Sequence, residues 1–511
     1  MPNLDPFVGR AYWMHLQVWN PLVEQEINWY YPEIQFQPRL RPVLAERWEV
    51  APDGRAATFY LRKGVRYANV PPVKGRELVA EDVKFSFERH MEKGTYQHKV
   101  TDIASVEVLD PYTVKFNLKR PLPAFPALLA DGLPVPVFPP EAYKAEGGLN
   151  ANFVGTGPFV LKYNRPGESY LFERNPNYWE KDKDGRQLPY VDGIKGVILP
   201  DYATEVAAFR TKQVDFLPAD RLDQVQGILK TTPDVYVYRI PSFGWGNISM
   251  HLKLEKAPFN DVRVRRAMSM AIDRAHMVES LYGGDGDWWP PIPWPYLGKM
   301  SWPRNYSMLG PWYEYNSKRA RELLKEAGYP QGFKTTLTYN RGERRYPYEE
   351  GALMFATFLK DIGITVDVRG LEAGAFLEQR MSGKWDGILL FTTPSGPPNW
   401  DVWVYYAHHS KSAVALNPDP VRDPNLDALL DAARNAKSQE EFERANAKVV
   451  AHLADQVYRV TAVVQMHYMI HHPYVKNLSC APYSWIMGYG EYNLKNVWLS
   501  ADAPRATDRP R

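Results

Sequence analysis

Three stretches of the chain alternate apolar and polar positions with a period of two, each about a turn signal. Residues 42–66 (PVLAERWEVAPDGRAATFYLRKGVR) alternate around Pro52-Asp53-Gly54. Residues 106–120 (VEVLDPYTVKFNLKR) turn at Asp110-Pro111, and residues 154–175 (VGTGPFVLKYNRPGESYLFERN) turn at Pro166-Gly167. Side chains alternate faces along a strand, so each stretch predicts a hairpin with one buried face. Helical spacing runs through 79–93 (VAEDVKFSFERHMEK), where Val83 and Phe87 share a face. It returns over 203–212, 261–281, 317–327, 349–362, 373–382, 425–436 and 439–456. Residues 460–473 (VTAVVQMHYMIHHP) are β-branched and aromatic and predict a strand. Strands, helices and hairpins interleave throughout, with no repeat at a 20–50 residue period, so the fold class is mixed α/β.

The most regular segment is 257–274, APFNDVRVRRAMSMAIDR. Asn260 is expected as its N-cap, with Asp261 in the first turn, where the helix dipole favours negative charge. Phe259 and Val264 stand at the spacing of a hydrophobic staple. Val264, Ala267, Met268, Ala271 and Ile272 line one face, while Arg263, Arg265 and Arg266 point elsewhere. The pattern serves helix initiation and packing and contains no plausible catalytic group.

Length and charge narrow the class. A chain of 511 residues is too long for one ordinary core, so two or more structural domains are expected. Apolar residues make up 45% and charged residues 24%, as in ordinary globular proteins. A formal net charge of +3 makes no case for a nucleic-acid partner. No apolar run approaches the length of a membrane helix. The single cysteine, Cys480, excludes an intramolecular disulfide and reads as a small buried hydrophobe. The opening MPNLDPF has neither a basic n-region nor an apolar h-region, so any export signal is expected to have been removed. The terminal ADAPRATDRPR reads as a frayed tail.

Candidate chemistry is sparse. In EKDKDGRQLPYVD (180–192), aligning Gly185 with the sixth position of a calcium loop puts Val191 where a bidentate glutamate is needed, so the segment reads as a solvated turn. His467 and His471 share a strand face but lie about 13 Å apart at strand spacing. They, His472, and the adjacent His408 and His409 are read as ordinary buried or hinge histidines, and no metal or cofactor is expected. Nucleophile-elbow, P-loop and dinucleotide motifs are absent. A glycoside hydrolase needs two carboxylates paired across a cleft, and no such pairing is recognisable, so an enzyme is the weaker reading. The loop WWPPIPWPYLG (288–298) either packs on its own lobe or lines a cleft.

The segment PFNDVRVRRAMSMAIDR resembles the signature of the family 5 extracellular solute-binding proteins, the oligopeptide, dipeptide and nickel receptors of bacterial ABC transporters. NLDPF near the start, ELVAEDVKFSFER (77–89), VGTGPFVLKYNRPGESYLFERNPNYW (154–179), LLKEAGYPQGF (323–333) and YNLKNVWL (492–499) resemble further family segments in the same order. Val79 departs from the pattern, since relatives often place a threonine N-cap there. The resemblance implies a two-lobed periplasmic-binding-protein fold with a hinge and an extra subdomain inserted in the first lobe. The expected boundaries are 1–40, 153–245 and 475–511 for the first lobe, 41–152 for the insertion and 246–474 for the second lobe. It further implies a non-enzymatic, monomeric receptor in the periplasm or outside the cell, associated with the membrane, that delivers a small-molecule ligand to ABC transporter permease subunits.

Residues 383–410 (GKWDGILLFTTPSGPPNWDVWVYYAHHS) carry the ligand clue. Where peptide-binding relatives place an aspartate for the ligand ammonium, this chain has Pro394, and Asp401 comes several residues later. Trp400, Trp403 and Tyr405 crowd the same loop beside Asn399, and aromatic faces suit sugar rings. The expected ligand is therefore an oligosaccharide, with an oligopeptide as the alternative. Trp13, Trp19, Trp245 and Asn247 are expected to face the same cleft.

Overall fold

The computed structural model describes Leu4 and residues 12–25, 40–92, 97–130, 135–241, 247–292, 309–342, 346–391, 400, 404–411, 421–436, 438–478 and 494–504. The three hairpins form where the alternation places them. Ala45–Val50 pairs with Ala56–Leu61, and Ile103–Asp110 with Thr113–Leu118, giving one four-stranded sheet. Helix Ala80–Glu92 packs on it with Val83 and Phe87 buried. Its start needs no threonine cap. The Asp82 carboxylate reaches back to the Val79 N–H at 3.0 Å, as the third residue of a capping box does, and is itself held by both Nη atoms of Arg76. Phe159–Arg165 and Ser169–Arg174 form the third hairpin, extended by Gly193–Val197. Phe59, Phe116 and Leu149 share one core with Trp19, Phe159 and Phe172. Gly155 is required here, because a Cβ would stand 1.9 Å from the Val18 carbonyl oxygen.

The largest sheet runs Phe216–Ala219, Arg459–His471, Asn247–Leu252, Ile388–Phe391, Lys334–Asn340, Thr365–Leu371. Tyr236–Pro241 and Gly286–Trp288 also pair with the long strand. That strand, expected over 460–473, is buried at every residue. Lys334–Asn340 runs parallel to both its neighbours, with helices Tyr348–Asp361 and Ala373–Ser382 as the crossovers. The helices expected at 203–212, 317–327, 425–436 and 439–456 form as Tyr202–Arg210, Ser317–Glu326, Pro424–Arg434 and Gln439–Gln456.

The single helix expected over 261–281 is two, Val262–Met270 and Arg274–Tyr282. Asp273 interrupts it by capping the second helix, accepting from the His276 N–H at 2.9 Å. The first cap also lies one residue later than expected: Asp261, not Asn260, accepts from the Arg263 N–H. The apolar stripe is as expected, with Val264, Ala267, Met268, Ala271 and Ile272 all in the second core beside Phe259. The arginines divide by task. Arg265 is buried and donates to the carbonyls of Phe259, Asn260 and Gln456, and Arg266 donates to the backbone and carboxylate of Asp455. Both therefore close the carbonyl end of helix Gln439–Gln456, where cations are favoured. Arg274 is 1% exposed and donates only to neutral acceptors: the carbonyls of Thr461, Ser269 and Tyr313 and the Ser269 hydroxyl. Burial without a carboxylate lowers its pKa to about 10.

Two predictions follow from these buried charges. Arg274→Lys retains the charge but loses the planar fork that spans four acceptors, so chemical denaturation should show a loss of about 3 kcal/mol. Asp287, on the strand Gly286–Trp288, is 7% exposed, and burial pushes its carboxyl up to about 7 against the opposing Trp288 N–H and Arg239. A carboxyl whose folded pKa is raised favours the fold at low pH, and that contribution disappears as pH rises through 7. The buried neutral imidazoles of His15, His90 and His408, held at about 3, 4 and 3, act oppositely by weakening the fold below their ordinary pKa. The informative comparison is therefore with Asp287→Asn. That variant should melt closest to the wild type near pH 4 and increasingly above it as pH rises to 8, and a difference in melting temperature that does not change with pH would contradict the assignment.

Candidate functional site

The long strand changes partners in its middle. Met466 to His471 pair with Tyr236–Pro241, and Arg459 to Val464 pair with Asn247–Leu252, both antiparallel. Tyr236–Pro241 thus ends beside Met466 and Asn247–Leu252 begins beside Val464, on either side of Gln465. Side chains on the two halves enter different cores. Val460, Ala462 and Val463 belong to the second core and Val464 to the third. Met466, Tyr468 and Ile470 belong to a fourth, with Phe209, Leu217 and Ile228, and Met469 reaches the first. The long strand and its two successive partners thus connect separately packed cores on either side of Gln465.

Polar side chains gather at this level. His467 is buried with Nδ1 3.0 Å from the Asp220 carboxylate, which can only accept, so Nδ1 carries the hydrogen. The Tyr346 ring, from the segment leading into helix Tyr348–Asp361, stands 6.5 Å from the imidazole. On the opposite face the Tyr468 hydroxyl donates to Asp285, which Arg239 also binds through Nε at 2.8 Å. Asp285 is held below the usual carboxylate range by Arg239 and Tyr468, although burial alone would raise it. Among the described residues no group of three or more His, Cys, Asp and Glu side chains is placed to hold a metal ion. His467 and His471 occupy separate surroundings, the latter lying against the rings of Tyr236 and Tyr238.

The expected site residues are distributed unevenly. Asn247 is fully buried where the long strand changes partners and accepts from the Ser249 hydroxyl at 2.8 Å. Trp400 is 8% exposed in the third core, edge-on to Phe442, and its Nε1 donates to Asn446 at 2.6 Å. Tyr405 is half-buried, stacked on His409, and donates its hydroxyl to Asp431. Trp19 lies inside the first core between Phe138 and Phe153, donating to the Val154 carbonyl, which corrects its expected place in a cleft. Its indole is consumed by packing around the Gly155 contact. Trp289, of the loop read as packing or cleft-lining, is 1% exposed and packs in the third core. Trp245, Asn399, Asp401 and Trp403 and the side chain of Trp13 lie outside the described residues.

Sequence reasoning missed a basic cluster around Phe391, at the end of strand Ile388–Phe391. His251 stacks on Phe391 with centroids 3.6 Å apart, and Arg380 lies 4.3 Å from that ring's centroid. Desolvation, with smaller contributions from the charges of Arg459 and Arg380, holds the His251 imidazole well below its ordinary pKa. His251 and Arg459 occupy adjoining antiparallel strands and Arg380 a following helix, so only strand register could have joined them.

Comparison with known proteins agrees with this architecture. The model of the bacterial extracellular solute-binding proteins, family 5 (middle region), matches residues 39–413. The chain is 29% identical over 436 residues to di/tripeptide-binding protein 1 of Pseudomonas aeruginosa, covering 78% of this chain and 76% of the relative. It is 27% identical over 506 residues to heme-binding protein A of Haemophilus influenzae, covering 93% and 86%. The DppA periplasmic binding protein of Helicobacter pylori, solved in complex with the peptide STSA, superposes with a TM-score of 0.77 at 26% identity, covering 98% of this chain and 95% of that one. The two-lobed fold expected from the sequence is the periplasmic-binding-protein fold of these structures. The chain belongs to the family 5 bacterial extracellular solute-binding proteins.

Proposed function

We propose that this protein is the extracytoplasmic receptor of an ABC importer, closing its lobes on a short peptide or peptide-like solute and passing it to a membrane permease. The observation that carries the proposal is the change of partner at Gln465, where the long strand passes from Asn247–Leu252 to Tyr236–Pro241 and so joins separately packed cores. Such a junction bends without exposing either core, and a cleft beside it buries ligand on closure. The lobe boundary is accordingly drawn through Gln465 rather than at 474.

Peptide takes precedence over the oligosaccharide expected from the aromatic loop. The sugar reading needed open aromatic faces, and Trp400 and Trp19 bury theirs within cores. Relatives named for di- and tripeptides, and a structural neighbour holding a tetrapeptide, support the peptide class. Binding free energy then comes from buried apolar area and directed bonds to the peptide backbone, less the cost of ordering the loops. The receptor acts as a monomer in the periplasm or at the outer face of the membrane.

Native mass spectrometry of the purified protein, followed by a thermal-shift panel of di- to tetrapeptides and oligosaccharides, tests this. A peptide at a hundred times its dissociation constant should add about 2.7 kcal/mol of stability. A response to sugars with none to peptides would reverse the ligand assignment.

A further inference from the structure

A pair of opposite charges joins the four-stranded sheet to helix Pro424–Arg434. Asp102 directly precedes strand Ile103–Asp110 in the four-stranded sheet. Arg120 grips its carboxylate there with two bonds, Nε at 2.9 Å and Nη2 at 2.5 Å. The same carboxylate meets Arg434, with Nη2 3.9 Å from Oδ2. Arg434 ends helix Pro424–Arg434, whose Leu426, Leu430 and Ala433 belong to the third core. Asp102 thus precedes strand Tyr236–Pro241 in the chain, and Arg434 lies between strand Asn247–Leu252 and the long strand. Neither side chain is open to water, at 6% exposure for Arg434 and 15% for Asp102. The guanidinium also lies 4.1 Å over the ring of Tyr405, whose hydroxyl is tied to Asp431 one turn earlier on the same helix.

We infer that Asp102 and Arg434 form a latch that holds the lobes closed, with the Tyr405 ring seating the Arg434 guanidinium. The inference rests on the receptor reading, since a latch requires lobes that open. Arg120 and Asp102 lie on one side of the hinge, so their bidentate contact survives opening and keeps the carboxylate oriented. Arg434 completes the site only on closure. At 3.9 Å the contact is a Coulombic attraction rather than a directed hydrogen bond, so it forms and breaks without exact alignment. Enclosure makes it stronger than an exposed pair at the same distance. Tyr405 fixes the plane in which the guanidinium lies. A ligand that binds the closed form better then shifts the population toward the state in which the pair is made.

The test uses the full chain and the variants Arg434→Gln and Asp102→Asn, which remove one charge from either side. Small-angle scattering reports closure, and stopped-flow tryptophan fluorescence reports release of an equimolar mixture of unmodified di- and tripeptides. Either variant should release peptide about tenfold faster with association little changed, and should scatter as a more open particle. Arg434→Lys, which keeps the charge and loses the planar ring contact, should fall between. Wild-type release rates and superimposable scattering in both charge variants would overturn the latch. Should no peptide bind any of the proteins, the peptide reading fails separately. The latch is then judged on ligand-free scattering at low salt, where a more open Arg434→Gln supports it and identical profiles refute it. If one variant does not fold, the other carries the same test from the opposite lobe.

Discussion

The 13 residues Arg459–His471 are the constraint on which the rest of the structure depends. Successive side chains of this strand enter four separate cores, and its backbone pairs with four other strands. A strand buried on both faces has no freedom of register, because a slip of one residue would move every side chain into the wrong core. Its entrance is fixed with equal care. Arg265 donates to the Gln456 carbonyl and Arg274 to the Thr461 carbonyl, so two arginines of the 257–274 segment hold the chain on either side of the point where the strand begins. The segment that most resembles the family is therefore the one that anchors the element common to both lobes.

This arrangement accounts for how a two-lobed molecule moves without losing its interior. The second and fourth cores meet the long strand on either side of Gln465, and bending there leaves the packing of each intact. Under the proposed lobe division, side chains of opposite lobes meet both near this point and far from it. Close to Gln465, His467 lies between Asp220 and the ring of Tyr346. Far from it, Arg434 approaches Asp102. Rotation about a hinge displaces distant groups more than near ones, so the inner contact tolerates motion that the outer one reports.

What was legible in the sequence follows the range of the interactions. Hairpins and most helices were found because alternation, turn residues and caps act within a few positions, as at Pro52-Asp53-Gly54 and Ser438. The break at Asp273 was missed because an apolar stripe continuing through Ile272 hid a capping side chain. Trp19 was misplaced because nothing local distinguishes an indole facing a cleft from one locked against a glycine's bare Cα in a distant hairpin. Trp400 offers the same lesson, since Asn446 and Phe442, which engage its ring, lie on a helix far along the chain. Cross-lobe pairs such as Asp102 and Arg434 leave no sequence signal, because Arg434 looks like any basic residue at the end of a helix.

The central claim is that one strand ties both lobes together, and native-state hydrogen exchange read by mass spectrometry tests it most directly. If the claim holds, peptides covering 459–464 and 466–471 will exchange with the same free energy, that of global unfolding, and will remain the slowest in the molecule. The contrary result is exchange of 466–471 in step with Phe216–Ala219 and Tyr236–Pro241 at a distinctly lower free energy than 459–464. That would mean the lobes unfold independently and the strand does not couple them.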